Sequence, residues 1–218
     1  MLRATSQQVN LRPRPDVLGC APDFESAGSE GVGVDAEQAR ARLRELVLER
    51  AVTYGERTLS SGQKSSYYID GKQVTLDAEG ALLFAEYLLA TNPPDTFDAI
   101  GGPTIGADPM AAAVSTLSQL KGAPKPAFIV RKATKAHGMM RRIEGPLAGG
   151  SRVIVVEDVV TSGGSVLEAI DALETEKKCA VVKIVCLVDR EQGAREAFAS
   201  RGYAFEPIFT VSQLGIER

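Results

Sequence analysis

Residues 153–165 read VIVVEDVVTSGGS, and this stretch decides the expected fold. Its first four residues are β-branched and predict a strand that is buried on both faces. Glu157 and Asp158 follow and are expected to stand at the carboxyl end of that strand. The small residues from Thr161 to Ser165 then predict a loop that enters a helix. The stretch therefore predicts a strand–loop–helix unit of an α/β protein.

Strands and helices alternate along the chain on both sides of this unit. Asp35 is the expected N-cap of a first helix, and further helices are predicted over residues 77–90, 105–120, 164–177 and 192–200. Strands are predicted over residues 97–101, 127–131, 153–157, 181–188 and 205–211, and strand and turn over 58–75. This alternation predicts a mainly parallel sheet with helices on both faces and a ligand beyond the carboxyl ends of the strands.

Composition and length place these elements in one domain. The chain has 218 residues, of which 44% are hydrophobic and 24% charged, as in ordinary soluble globular proteins. Residues 35–218 form the predicted domain. Residues 1–34 are rich in Ser, Gly, Pro and Arg and are predicted to be a flexible extension, with a basic targeting sequence as the alternative. The length leaves no room for a second fused enzyme domain.

Several classes of function are disfavoured by the same numbers. A net charge of −3 gives no reason to expect nucleic-acid binding, and no apolar run approaches the ~20 residues of a membrane span. Cys20, Cys179 and Cys186 match no metal or redox spacing, so they are read as reduced thiols. We therefore expect a cytoplasmic protein without nucleic-acid or membrane partners.

The chemistry of residues 153–165 fits a sugar phosphate. Backbone N–H groups of Thr161 to Ser165, at the start of a helix, suit a phosphate. Glu157 and Asp158 would repel that phosphate, but each carboxylate can accept a hydrogen bond from one of two vicinal ribose hydroxyls. The alternative is a plain strand-to-helix turn with solvated acids.

A second cluster of charge is basic. Residues 131–142 contain five cations and the only histidine, with no carboxylate before Glu144. These residues are Arg131, Lys132, Lys135, His137, Arg141 and Arg142. Like charges repel one another, so a small anionic ligand is expected here, with a solvated surface as the alternative.

Residues 153–165 resemble the signature that binds 5-phosphoribosyl-1-pyrophosphate (PRPP) in type I phosphoribosyltransferases. Four more segments resemble motifs of the orotate branch of that family, in the family's order: LSSGQKSSYYID (59–70), GGPTIGADP (101–109), VRKATKAHG (130–138) and VDR (188–190). The likeness extends from about Asp35 to the C-terminus. It implies the type I fold, in which a small hood subdomain accompanies the sheet.

The resemblance also implies a reaction. Orotate phosphoribosyltransferases transfer the 5-phosphoribosyl group of PRPP to orotate, giving orotidine 5′-phosphate and pyrophosphate in pyrimidine synthesis. The implied cofactor is Mg²⁺, held by substrate and water without direct protein ligands. The implied assembly is a homodimer whose active sites are shared, because in this family the basic loop reaches the neighbouring subunit.

Roles for single residues follow from the same resemblance. Arg131, Lys132, Lys135 and His137 are the expected catalytic lid over the pyrophosphate of PRPP. The rest of the PRPP site comprises Glu157, Asp158, Val159, Val160, Thr161, Ser162, Gly163, Gly164 and Ser165. Orotate is expected to contact Thr161 and Arg190, the latter through its carboxylate.

Two positions depart from the family pattern. Some members carry lysines where this chain has Ser60 and Gly106, so Lys64 or Lys72 is a possible replacement for them. Independently of these positions, Tyr68 is a possible contact of the base.

Two alternative functions stay open: a phosphoribosyltransferase for another base, and a PRPP-sensing regulator that binds nucleic acid.

Overall fold

The computed structural model describes residues 35–58, 64–132 and 142–216; the predicted extension 1–34 lies outside them. The strands are β1 (Val52–Thr58), β2 (Lys64–Ile69), β3 (Ala99–Pro103), β4 (Ala127–Val130), β5 (Ile143–Glu144), β6 (Arg152–Val160), β7 (Ala180–Asp189) and β8 (Phe205–Thr210). The helices are α1 (Ala36–Leu46), α2 (Lys72–Thr75), α3 (Ala78–Thr91), α4 (Ala107–Leu120), α5 (Gly164–Lys177), α6 (Ala194–Ser200) and α7 (Val211–Leu214), and a π-helical turn (Val47–Ala51) follows α1. Within these ranges, no helix has the length and apolar character needed to cross a membrane.

The main sheet has six strands in the order β5-β4-β3-β6-β7-β8. Its neighbours pair in parallel except β4 and β5, which are antiparallel. This confirms the predicted mainly parallel sheet. The chain runs outward from β3 to β4 on one side and from β6 to β7 and β8 on the other. A crevice therefore opens at the carboxyl ends of β3 and β6, where α/β sheets bind ligands.

Strand β6 is buried on both faces, as its β-branched run predicts. Ile154 and Val156 belong to one apolar core, with α1, α3 and α4, while Val153 and Val155 belong to the other, with α5 and α6. None of the four is more than 1% exposed. Successive residues of a strand point to opposite faces, so an unbroken apolar run serves two cores at once. The two cores hold β6 rigidly below the site.

The acid pair does not end this strand, and that prediction was wrong. Strand β6 continues to Val160 because β7 extends equally far, and Val159 and Val160 pair with Val188 and Asp189. Both valines have side chains suited to a sheet. The carboxylates therefore belong to the rigid sheet rather than to the loop.

A hairpin precedes the main sheet and was only partly predicted. Strands β1 and β2 pair antiparallel as a separate two-stranded sheet, which corresponds to the expected hood. The segment 58–75, predicted as strand and turn, contains β2 and also the short helix α2. Asp35 stands at the N-cap of α1 but its side chain caps nothing, whereas the Asp77 carboxylate accepts from Glu79 N and Gly80 N at 3.1 Å.

Candidate active site

A cavity of about 370 Å³ lies at the carboxyl end of β6 and the start of α5. Most of the predicted sugar-phosphate residues line it. The lining consists of Glu157, Val159, Val160, Thr161, Ser162, Gly163, Gly164, Ser165, Val166 and Glu168. Asp158, the one acid of the pair absent from this lining, faces Gly71 and Lys72. The structure thus gathers a continuous segment of chain around one cavity.

The predicted phosphate loop needs glycine at position 163 for two reasons, the backbone conformation and the lack of space for a side chain. Gly163 has a φ of +82°, a backbone conformation that residues with a side chain rarely adopt. A Cβ added there would also lie 2.6 Å from the Phe198 ring. The loop can therefore pass over Phe198 and enter α5 at Gly164. Thr161, Ser162 and Ser165 remain exposed, with the free N–H groups of the first helical turn beside them.

The carboxylates of Glu157 and Asp158 lie together beside Gly106. A Cβ added at Gly106 would overlap Glu157 Oε1 and Asp158 Oδ1. Burial raises the pKa of Glu157 to about 9, and the charge of Asp158 adds to the rise, while the charge of Lys132 opposes it. Glu157 therefore holds a proton at neutral pH. A side chain at position 106 would need a different arrangement of this pair.

Arg190 is placed next to the phosphate loop. Its backbone N donates to Val160 O at 2.9 Å, which ties the end of β7 to the end of β6. Its guanidinium lies 5.0 Å from the centre of the Tyr67 ring, in a cation–π contact, and the residue is 6% exposed. Tyr67 is 2% exposed, whereas the possible base contact Tyr68 is 38% exposed on the other face of β2. No sequence pattern indicated that Tyr67 meets Arg190.

The two ends of the basic segment, residues 131–142, lie side by side at the end of β4. Arg131 N donates to Arg142 O at 2.8 Å, just beyond the pairing of β4 with β5. The Arg131 guanidinium lies 3.5 Å from Glu144 Oε1, so this cation has an acidic neighbour that was not expected. Both side chains are more than a third exposed, and the contact is weak. Lys132 is exposed at the same end of the sheet.

Several predicted residues cannot be placed. Lys135 and His137 lie outside the described residues, and so does Ser60. Lys64 begins β2, but its side chain is not described. Lys72 is placed: its ammonium lies 2.6 Å from Asp70 Oδ1 and 3.5 Å from Asp158 Oδ2. The ammonium of Lys72 therefore reaches one member of the acid pair.

The described residues contain no group of three or more His, Cys, Asp or Glu side chains that could hold a metal ion. Two adjacent carboxylates are present, but Glu157 is protonated at neutral pH and binds a cation poorly in that form.

Comparison with known proteins agrees with this geometry. Residues 83–202 match the family described as the phosphoribosyl transferase domain, which covers more than half of the chain. The chain therefore belongs to the phosphoribosyltransferase family.

Its relatives narrow the assignment. The chain is 46% identical over 181 residues to the orotate phosphoribosyltransferase of Nostoc sp., covering 83% of this chain and 87% of that one. Among solved structures, it resembles Mycobacterium tuberculosis orotate phosphoribosyltransferase with Fe(III) dicitrate (39% identity, TM-score 0.71, 81% and 99% of the two chains). The same enzyme in complex with PRPP is also similar (35% identity, TM-score 0.68, 81% and 99%). Within its family, the chain groups with the orotate phosphoribosyltransferases.

Proposed function

We propose that the chain uses this site to transfer the 5-phosphoribosyl group of PRPP to orotate in pyrimidine synthesis. The observation that carries the proposal is the continuous segment from Glu157 to Ser165 around one cavity, with carboxyls at one end and a helix N-terminus at the other. A ribose 5-phosphate carries hydroxyls that can pair with the carboxyls and a phosphate that can bind at the helix N-terminus. The similar M. tuberculosis enzyme that binds PRPP supports the same ligand here.

Different residues of the segment would bind different groups of PRPP. Backbone N–H groups from Thr161 to Ser165 hold the 5′-phosphate, and the helix dipole of α5 favours its charge. Glu157 and Asp158 bind the two ribose hydroxyls. Because Glu157 is protonated at neutral pH, it can donate a hydrogen bond to one hydroxyl oxygen while Asp158 accepts from the other.

Orotate would lie between this segment and Arg190. The planar guanidinium of Arg190 can bind the orotate carboxylate through two hydrogen bonds, with its direction set by the Tyr67 ring. The hydroxyl of Thr161, the first residue of the loop, would make a second contact with orotate. A ring nitrogen of orotate then displaces pyrophosphate from the anomeric carbon, and correct placement of the two substrates supplies much of the rate.

The leaving pyrophosphate would be neutralised by the basic segment. Arg131 and Lys132 stand at the end of β4, and Lys135 and His137 follow them in the sequence. Closing this segment over the site as a lid would exclude water from a reactive sugar cation. Bound Mg²⁺ would add positive charge to the pyrophosphate oxygens, and it would take its ligands from substrate and water.

We also propose a homodimer in the cytoplasm. An apolar groove of about 430 Å³ lies between α3 and α4, and its lining includes the exposed side chains of Leu76, Leu82 and Leu120. A second copy of the chain would cover it.

The cytoplasmic location is supported by the cysteines. Buried Cys179 and Cys186 carry free thiols, as a reducing compartment favours. The dimer is tested by substitutions in the groove. Leu82→Lys and Leu120→Glu should yield monomers in sedimentation, whereas Val182→Lys on β7 should not.

The activity is tested by incubating the protein with PRPP, Mg²⁺ and orotate and following the loss of orotate absorbance. We expect turnover with orotate and none with adenine, guanine, hypoxanthine or uracil, assayed by product chromatography. Turnover should disappear in Lys135→Ala and persist in Lys178→Ala, which lies beyond α5 and away from the site. Binding of PRPP without reaction of any base would overturn the proposal.

Sharing of sites is tested by mixing two impaired variants at an orotate concentration well below their KM, where each alone turns over little substrate. Lys135→Ala removes the lid cation, and Arg190→Gln removes the base contact. If the lid acts on the neighbouring subunit, random re-association restores one intact site in each mixed dimer, about a quarter of the native activity. If mixing restores nothing, each subunit uses its own lid.

A further inference from the structure

We propose that Lys72 is a positioning residue that holds Asp158 in the orientation needed to bind ribose. This inference rests on the proposed function, because it gives Lys72 a role at the ribose end of the PRPP site. It assigns to Lys72 an indirect action through Asp158 and no contact with pyrophosphate.

The position of Lys72 is fixed from two sides. It is the first residue of α2, directly after the turn that closes β2, and its backbone N donates to Asp70 Oδ1 at 3.2 Å. Its ammonium lies 2.6 Å from the same oxygen. The second Asp70 oxygen accepts from Gln73 Nε2 at 3.2 Å. Asp70 is thus a fixed anchor, and it directs the ammonium of Lys72 towards Asp158.

Asp158 has little freedom to turn away. Its side chain is 10% exposed, and Lys72 Nζ lies 3.5 Å from its Oδ2. A Cβ added at Gly71 would lie 2.9 Å from Asp158 Cβ, and one at Gly106 would overlap Asp158 Oδ1. Two glycine backbones therefore enclose the carboxylate, and the ammonium of Lys72 approaches one of its oxygens.

The charge of Lys72 also balances a local excess of acid. Glu157 and Asp158 are neighbours in a buried strand, and proximity of two negative charges is unfavourable there. The hydrogen bond to Asp70 raises the pKa of Lys72, and the charge of Asp158 raises it further, so the ammonium keeps its proton. A permanent cation beside Asp158 offsets part of this unfavourable charge.

The contacts of Lys72 favour an action through Asp158 over a direct contact with pyrophosphate. The ammonium of Lys72 already has two carboxylate neighbours, Asp70 and Asp158. The side chain is about one third exposed, at 34%. A role through Asp158 predicts that Lys72 matters for any ligand that carries the ribose hydroxyls, whether or not it carries pyrophosphate.

The test compares three ligands by titration calorimetry: inorganic phosphate, ribose 5-phosphate, and PRPP with Mg²⁺. In Lys72→Met, we expect ribose 5-phosphate and PRPP to bind about three- to tenfold more weakly, by the same factor. Inorganic phosphate, which needs only the loop from Thr161 to Ser165, should bind as before. Lys72→Arg should restore most of the affinity, and Lys183→Met, which breaks an ion pair with Glu206 away from the site, should change nothing.

Each other outcome has a definite meaning. Loss of PRPP affinity alone would show a direct pyrophosphate contact and overturn the proposal. Equal loss for all three ligands would show general structural damage, which also overturns it; thermal unfolding and the milder Lys72→Gln variant check that the protein is folded. No loss for any ligand would remove Lys72 from the site.

Action through Asp158 is tested by combining substitutions. In an Asp158→Asn background, Lys72→Met should have no further effect on ribose 5-phosphate binding, because the carboxylate it positions is gone. Additive losses would contradict the proposal. None of these measurements uses orotate, so failure of the orotate reaction and failure of the Lys72 inference are distinguishable.

Discussion

The two halves of the site are built in different ways. The half that we propose for ribose 5-phosphate is one continuous segment, from Glu157 to Ser165, that leaves a strand buried in two cores. The half that we propose for orotate and pyrophosphate is assembled from separate segments: Tyr67 on β2, Arg190 after β7, and Arg131 and Lys132 after β4. The first half is held in place because its strand, β6, is packed between two apolar cores. The second half depends on contacts between distant parts of the chain.

The largest effect is expected where the continuous half crosses the core. Gly163→Ala should lower the free energy of unfolding by about 2–4 kcal/mol, because the new Cβ meets the Phe198 ring and the backbone has a positive φ. Urea denaturation measures the change. Gly150→Ala is the matched control: its φ is +77° but nothing lies within 4 Å of the Cβ, so it should cost about 1 kcal/mol. Equal losses would mean that Phe198 does not matter.

The next largest effect is expected from Arg190, which belongs to the half of the site that is assembled from separate segments. Arg190→Gln should raise the KM for orotate by about 10- to 100-fold while leaving PRPP binding nearly unchanged, because one charged partner of the carboxylate is lost. Steady-state kinetics and PRPP titration measure the two quantities. Arg195→Gln is the control, since that arginine lies over Phe205 on the exposed side of α6. An equal loss of PRPP affinity would show that the two halves are not separable.

A third effect concerns pH. Burial raises the pKa of Glu157 from its ordinary value near 4.5 to about 9, so the folded state binds a proton that the unfolded state releases. This contribution to stability is complete below about pH 4.5 and is lost as pH rises towards 9. Glu157→Gln removes the dependence.

Between pH 6 and pH 8.5, the stability of Glu157→Gln relative to the native protein should therefore increase by about 1–3 kcal/mol. Urea denaturation of the ligand-free protein at both pH values measures it. Glu168→Gln, an exposed acid at the same cavity, is the control. A relative stability that stays constant with pH would mean that Glu157 is ionised in the folded protein.

The smallest effect is expected at the base of the basic segment. Glu144→Gln removes an exposed partner 3.5 Å from Arg131, and it should change the free energy of unfolding by at most about 0.5 kcal/mol. Turnover should change by less than about twofold, since Arg131 N still donates to Arg142 O. A large loss of turnover would show that Glu144 sets the direction of Arg131.

Much of the continuous half could be predicted from local sequence. Four β-branched residues, two acids and a small-residue loop indicate a buried strand, a polar group and a phosphate loop, because each pattern acts over a few neighbouring residues. The end of the strand was misplaced because it depends on β7, which lies elsewhere in the chain. Strands β1 and β5 were missed for the same reason, since each forms only by pairing with another strand, β2 or β4.

The sequence alone determined the parallel sheet, its buried central strand and the loop at Thr161 to Ser165. Only the tertiary structure decided that Tyr67 meets Arg190, that a side chain at position 106 would displace the acid pair, and that Lys72 reaches Asp158. The physical reason is the range of the interactions. Strand and loop preferences arise between neighbouring residues, whereas an ion pair, a ring contact or a lack of space arises only after the strands have packed together.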